Sequence, residues 1–425
     1  MPNSEARAEA SRLRIEALTS KQSEEAAPKT DAERAEIAKA EEALLDQLEP
    51  RDLLVTFANQ QAMVGAIADY QRIVSQGGWP SVPTGRTIRP GEMNEAVGAI
   101  RARLQITDGL SPAGSGSWTF DEEVEAAVKR FQRRHGIPPN GIVDRRTIVA
   151  MNVPASARLA QLRINIQRLR ELLQQGLPPT FVMVNIPAFS LQAVDQGRLA
   201  LSSRVIVGRE ERQTPSVSAV IRGLNFFPYW NVPDSVAFGD LIPKLYRDPG
   251  YLARERIRVL STWGGDEIDP RIIDWNTPEA QSYKFRQDPG PQNALGLVRI
   301  DMPNEHIVYM HDTPMKNLFV RPVRAYSAGC VRVQRIFDLV TWIAGHNGDW
   351  DRARVDSVLM SGQPVDVKLN EPIPVKFVYL TAWATPDGEI SFRADLYGRD
   401  GEENAGNRAD KEEMASTGDS VRLAP

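Results

Sequence analysis

Apolar positions along this chain recur first with a period near 3.6 and later with a period of about two, and the change falls at Pro178. Residues 1–30, rich in Ser, Glu, Ala and Lys, offer too little apolar surface to offset chain entropy and are expected to be disordered or frayed. Asp31 can cap a helix through Ala43-Leu44-Leu45 to about Leu48, and a second helical stretch runs from about 53 to 74, where Gly77-Gly78-Trp79-Pro80 stops it. Three further helical runs, at 94–104, 122–135 and 145–151, are separated by Ser111-Pro112-Ala113-Gly114 and by Gly136-Ile137-Pro138-Pro139-Asn140-Gly141. Phe131, Ile142 and Ile148 are expected in the core of that unit. The clearest amphipathic helix is 156–175, with Leu159, Leu162, Ile166, Leu169 and Leu173 on one stripe that belongs against protein.

After Pro178 short alternating runs predict strands at 181–186, 190–194, 200–207 and 219–221, then at 297–300 and 307–310. Between them, about 228–290 carries helical and aromatic residues (Phe238, Leu241, Tyr246, Tyr251, Trp263, Trp275, Tyr283), and an insertion of that size is more often a lid or binding loop than an accident. Helices are expected at 334–344 and 351–360, closing strands at 365–369 and 375–380, and a polar, disordered tail from about Gly401. The predicted class is a multidomain α+β protein: a disordered segment 1–30, a helical scaffold 31–89, a small three-helix unit 90–152, a scaffold helix 153–177, a mostly-β domain 178–382 with its insertion, and a C-terminal strand and tail 383–425.

Composition narrows the function classes. With 425 residues, 42% hydrophobic and 25% charged, the chain can bury more than one core. A net charge of −4 gives no basic field, which argues against nucleic acid and against an anionic membrane surface. No apolar run approaches the eighteen or so residues of a membrane span, and the first thirty residues lack the hydrophobic core of a signal peptide. A single cysteine has no intramolecular partner and is compatible with an oxidising compartment.

That cysteine, Cys330, lies 19 positions after His311 (330 − 311). A thiolate nucleophile with an imidazole base is one reading; a buried cysteine acting as a small hydrophobe is the other. Ser327-Ala328-Gly329-Cys330 is a small-residue turn, and Gly329 would let backbone N–H groups, its own and that of Cys330, form an oxyanion hole. Arg332, two residues on, would share a face with the thiol in extended chain and depress its pKa or hold a substrate carboxylate; a structural surface arginine is the alternative. Thr313 can cap a short helix beginning at Pro314. Asp312, adjacent to His311, should point away from it, leaving a backbone carbonyl to orient the ring. Tyr309 shares the face of His311 and either lines the site or is ordinary core. His306 is expected at the surface, His346 at a helix end, and His135 has no second ligand at metal spacing.

His311-Asp312-Thr313 followed by Ser327-x-Gly329-Cys330-Val331-Arg332 resembles the signature of the L,D-transpeptidases with a YkuD-type catalytic domain. The resemblance extends through Val184-Asn-Ile-Pro187, Ser203-Arg-Val-Ile-Val-Gly208, Trp230-Asn-Val-Pro233 and Pro289-Gly-Pro-Gln-Asn-Ala-Leu-Gly296, which look like the large Gram-negative, YcbB-like branch. Ala328 departs from the family, where His or Ser is frequent; this bears on substrate contacts and removes no required proton carrier. The segment from Ala127 through Phe131, Gly136 and Gly141 to Thr147 resembles the three-helix peptidoglycan-binding module, against which a plain spacer domain is the alternative.

The resemblance implies a β-sandwich catalytic domain whose insertion caps the cleft. It implies Cys330 as nucleophile, His311 as general acid and base, Gly329 as an oxyanion donor, and Tyr309, Ser327, Arg332, Trp230 and Asn231 as substrate contacts. The reaction implied is attack on a tetrapeptide stem of peptidoglycan, release of D-alanine, and transfer to a diaminopimelate amine, a 3→3 crosslink, with no metal and no cofactor because a thioester conserves the acyl energy. An L,D-carboxypeptidase using water, attachment of a lipoprotein lysine, and a non-catalytic wall-binding protein are the competing readings. Other cell-wall synthesis enzymes are candidate partners, and a periplasmic or envelope location implies that an export signal or anchor is missing from this sequence.

Overall fold

Threonine and aspartate side chains cap several of the helices. The computed structural model describes residues 31–401 apart from Ser115; the expected disorder of 1–30 and of the tail beyond Gly401 lies outside the described residues. Helix α1 spans Asp31–Asp46, so Asp31 is inside the helix it was expected to cap. In α2 (Phe57–Ser75) the Thr56 side chain accepts the Asn59 N–H. Helices α3 (Ala96–Thr107), α4 (Glu122–Arg134) and α5 (Arg145–Asn152) form the next unit, with Asp121 and Asp144 capping the last two. Its core joins Val97, Ile100, Leu104, Phe120, Val124, Phe131, Val143 and Ile148. Ile142 is only partly buried; Val143 pairs with Ile88 in an antiparallel bridge and turns inward, and strand alternation sends its neighbour out. His135 is buried and stacked 3.9 Å from the Phe131 ring.

Helix α6 (Ala155–Gln174) buries Leu159, Leu162, Ile166 and Leu169 against Met63, Ala66 and Tyr70 of α2, while Leu173 is only partly covered. The same cluster takes in Phe181 and Met183 of β1 (Phe181–Asn185) and Trp383 and Phe392 of the hairpin β14 (Ala382–Ala384) and β15 (Ile390–Phe392).

The remaining strands are β2 (Ser190–Asp195), β3 (Arg198–Gly208), β4 (Val217–Phe226), β9 (Val298–Asp301), β10 (Met310–His311), β11 (Ala325–Ser327), β12 (Val331–Val333) and β13 (Val365–Val378), with β5 to β8 in the insertion. The nine strands of this domain form one sheet in the order β11-β3-β12-β10-β9-β4-β13-β1-β2, and β2 pairs with β3 as well as with β1. The β2–β3 pairing therefore closes the ladder on itself. Its interior holds Val182, Val184, Val205, Val207, Leu224, Ile300, Met310 and Val331, closed by Ile336, Leu339, Val340 and Ile343 of α7 (Ile336–Gly345). Helix α8 (Arg352–Ser361) adds Val355.

Three expectations change. The two closing strands are one 14-residue strand, β13, whose register on β4 shifts between Lys368 and Ile373, where Pro372 has no N–H to donate. Residues 307–309 are not in a strand: Asn304 accepts from the His306 and Val308 N–H groups and donates to the Met302 and Val308 carbonyls, and Ile307 sits at φ 55°, so only Met310–His311 pair. Pro314 opens no helix; Thr313 Oγ1 accepts from Met315 N–H and a 3₁₀ turn spans Lys316–Val320.

The insertion folds around a core of its own. Strands β5 (Trp230–Asn231), β6 (Ile257–Leu260), β7 (Glu267–Ile268) and β8 (Lys284–Gln287) pair in the order β5-β8-β6-β7. Trp230, Leu241, Tyr251, Val259 and Phe285 fill that core, Phe238, Trp275 and Tyr283 flank it, and Tyr246 and Trp263 stay exposed.

Candidate active site

Parallel pairing of β10 with β12 arranges the chemistry. Met310 sits opposite Val331 and His311 opposite Arg332, and Met310 and Val331 both point into the core. Alternation then sends Tyr309 and His311 on one strand, and Cys330 and Arg332 on the next, to the other face. There they line a cleft of about 240 Å³ together with Trp230, Ser327, Ala328 and Tyr326.

Asp312 points away from the imidazole, as extended chain requires: its carboxylate accepts the Leu297 N–H at 2.9 Å and pairs with Lys316. Its backbone carbonyl lies 2.5 Å from His311 Nδ1. A carbonyl only accepts, so Nδ1 carries the hydrogen and the Nε2 lone pair is left as the basic site. The ring is 4% exposed. Burial, then the Arg332 charge, lowers its pKa from 6.5 to about 3, against which the backbone groups of Asp312 and Leu295 pull upward.

Burial raises the Cys330 thiol, while Tyr309, whose backbone N–H and hydroxyl both face the sulfur, and then the charge of Arg332 pull the other way. The Tyr309 hydroxyl is itself pushed up by burial, and its ring meets that of His311 edge-on at 5.7 Å. At neutral pH the cleft therefore holds an uncharged thiol beside an uncharged imidazole. Arg332 is the charged member. It is 7% exposed; Nη1 meets the Met315 sulfur at 3.8 Å, Nε is buried without a hydrogen-bond partner, and burial lowers its pKa to about 10. A guanidinium so placed favours an incoming carboxylate.

The turn before the cysteine closes on itself. Ser327 Oγ donates to the Cys330 carbonyl at 2.5 Å and accepts the Gly329 N–H at 3.1 Å, with Gly329 at φ 119°, a conformation L side chains rarely adopt. The Gly329 N–H, expected as a free oxyanion donor, is thus already engaged. Asn231 is exposed and does not line the cleft, although its neighbour Trp230 does. His306 is exposed, as expected, and lines the cleft mouth; His346 caps the end of α7.

Several residues that sequence reasoning passed over hold this site. Thr214, fully buried, accepts the Gly208 N–H and donates to the Gly329 carbonyl, both at 2.8 Å. Tyr397 donates to the Gly208 carbonyl at 2.6 Å and accepts the Thr214 N–H at 3.2 Å. Arg209 and Asp240 also line the cleft and pair at 3.1 Å.

The fold and cleft thus bring together a thiol, an imidazole and a buried guanidinium on a closed β-sheet beside a small helical unit. Residues 179–367 match the family described as "L,D-transpeptidase catalytic domain", and residues 93–151 match the "Putative peptidoglycan binding domain". The chain thus carries a YkuD L,D-transpeptidase catalytic domain together with a peptidoglycan-binding domain. A curated protein of Haemophilus influenzae named "Putative L,D-transpeptidase" is 36% identical over 244 residues, 56% of this chain; the chain spans about half (48%) of that relative's length. Among solved structures, an L,D-transpeptidase from Xylanimonas cellulosilytica aligns over 70% of this chain and 99% of its own, at 14% identity and a TM-score of 0.21. One from Stackebrandtia nassauensis aligns over 70% and 96%, at 13% identity and a TM-score of 0.25.

Proposed function

We propose that this protein is a cysteine-dependent L,D-transpeptidase that joins peptidoglycan stem peptides by 3→3 crosslinks. The observation that carries the reading is the shared face of Cys330, His311 and Arg332 in one cleft, with a buried guanidinium whose Nε has no hydrogen-bond partner among the described residues. Arg332 would anchor a stem carboxylate and bring the carbonyl after the third residue against Sγ. As sulfur bonds to that carbonyl, Nε2 of His311 takes the thiol proton; the same nitrogen then returns it to the departing D-alanine amine, leaving a thioester. A side-chain amine of a second stem gives its proton to Nε2, attacks the thioester and regenerates the thiol. The developing oxyanion is served first by the Cys330 N–H, and by Gly329 once Ser327 Oγ lets it go.

The remaining assignments follow from the same reading. The 90–152 unit localises the enzyme on the wall, residues 31–89 and 153–177 form its scaffold, and the insertion caps the cleft and limits water. A carbapenem would acylate the same thiol. Two wall-acting domains point to a location outside the cytoplasmic membrane, the periplasm in this reading; no described helix is long and apolar enough to cross a membrane. Incubation with tetrapeptide muropeptides and mass analysis of the products tests the proposal. A dimer lighter by one D-alanine supports it, a tripeptide monomer alone favours an L,D-carboxypeptidase, and no change refutes both.

A further inference from the structure

The Cys330 cleft contains a second guanidinium, and its surroundings differ from those of Arg332. Arg209 follows directly on β3, and its backbone N–H donates to the Ser327 carbonyl at 3.0 Å, which fixes it beside the nucleophile turn. Antiparallel pairing places Arg332 opposite Ile206, so Cys330 is level with Gly208 and Arg209 comes after it. The two arginines therefore flank the thiol along the strand direction.

Arg209 Nη2 meets Asp240 Oδ1 at 3.1 Å, and Arg212 Nη1 meets Oδ2 of the same carboxylate at 2.5 Å. Asp240 comes from the insertion, on the π-helical turn Ala237–Leu241, a form that occurs frequently at functional sites. Gly239 beside it leaves the space Arg212 occupies: a Cβ there would collide with Arg212 Nη2. Glu211 reaches Arg209 only at 3.7 Å and is 77% exposed, so solvent screens it. At the cleft wall two guanidiniums thus share one partly buried carboxylate, and one positive charge is left over. Arg209 and Asp240 face the cleft, whereas Arg212 does not line it.

We propose that Arg209 is a second carboxylate-recognition residue, held in place by Asp240 of the insertion, that takes a carboxylate of the stem peptide on the side of Cys330 opposite Arg332. The inference rests on the transpeptidase reading above. A stem with a diamino diacid at its third position carries that residue's free carboxylate and a terminal one, which gives each arginine a target. The arriving carboxylate competes with Asp240 for the Arg209 fork and so loosens the tie between insertion and sheet.

The test uses the full chain and three synthetic tetrapeptide stems: the parent, one amidated at the diacid side-chain carboxylate, and one amidated at the C-terminus. Each amidated peptide should lose about 10–100-fold in kcat/KM with wild type, the worth of a charge-assisted hydrogen bond, and the one on which removing the Arg209 guanidinium costs little further identifies the carboxylate Arg209 holds. Arg209→Gln should lose a similar factor on the parent and little more on that amidated peptide. Arg209→Lys, which keeps the charge and loses the fork, should fall between. Asp240→Asn should lower KM for the parent peptide, because the internal competitor is gone, and leave KM for the amidated one unchanged. If Arg209→Gln loses equally on all three peptides, or Asp240→Asn raises KM, the pair is only a structural tie and the assignment fails. Wild type that turns over none of the peptides instead overturns the transpeptidase reading, and this assignment with it.

Discussion

Replacing His311 by Gln tests whether the imidazole is held uncharged in the folded protein. Its pKa falls from the ordinary 6.5 to about 3 because burial and the Arg332 charge both disfavour imidazolium. Below pH 6.5 the unfolded chain takes up a proton that the folded chain refuses, so acid favours unfolding. The stabilisation from a neutral His311 is complete above pH 6.5 and is lost as pH falls toward about 3. The whole gap, 6.5 − 3 = 3.5 pH units at about 1.36 kcal/mol each, corresponds to about 5 kcal/mol. Between pH 6.5 and 5 the accessible part is about 2 kcal/mol. Urea unfolding of wild type and His311→Gln from pH 8 to 5 isolates this contribution, since His135, also buried and held well below its ordinary pKa, is common to both. The stability difference should be flat above pH 6.5 and then shift against wild type by about 1.4 kcal/mol per pH unit. Parallel curves down to pH 5 would refute a neutral, buried base.

Thr214→Val keeps the shape of a fully buried side chain but orphans the Gly208 N–H and a Gly329 carbonyl bond. It should cost about 1–3 kcal/mol in unfolding and lower the acylation rate, with Thr214→Ser restoring both. A Val variant with wild-type acylation would show that the turn holds itself. His311→Ala should lower turnover by about 10²–10⁴-fold at neutral pH, with the defect shrinking as pH rises and thiolate appears. A pH-independent loss would point to misfolding instead. Deleting 90–152 should weaken sacculus binding far more than turnover of a soluble stem, and equal pull-down by both forms would exclude a localising role.

Periodicity carried the helices and most strands, because a residue's face within one element is a local property. It gave α3 to α6 within a few residues and put Phe131 and Leu162 in cores. The turn at Asn304 was missed because Ile307-Val308 reads as apolar strand, while one amide side chain with four hydrogen bonds overrides that preference. The shared face of Cys330 and Arg332 could be read from their spacing of two. Their juxtaposition with Tyr309 and His311 needed the parallel register of β10 and β12, which no local pattern encodes. Thr214, 115 residues from Gly329, and Tyr397, 189 from Gly208, meet the nucleophile turn only through the closed sheet. The bond from the Gly329 N–H to Ser327 Oγ was not anticipated, although its origin is local: a serine two residues earlier can compete for that N–H.

Rapid-quench intact-protein mass spectrometry with a tetrapeptide stem tests the central claim most directly, because Cys330 is the chain's single cysteine. Wild type should carry one adduct of the stem minus D-alanine, absent from Cys330→Ala. Release of D-alanine with no adduct at any quench time, or the same adduct on Cys330→Ala, would contradict a thioester at Cys330.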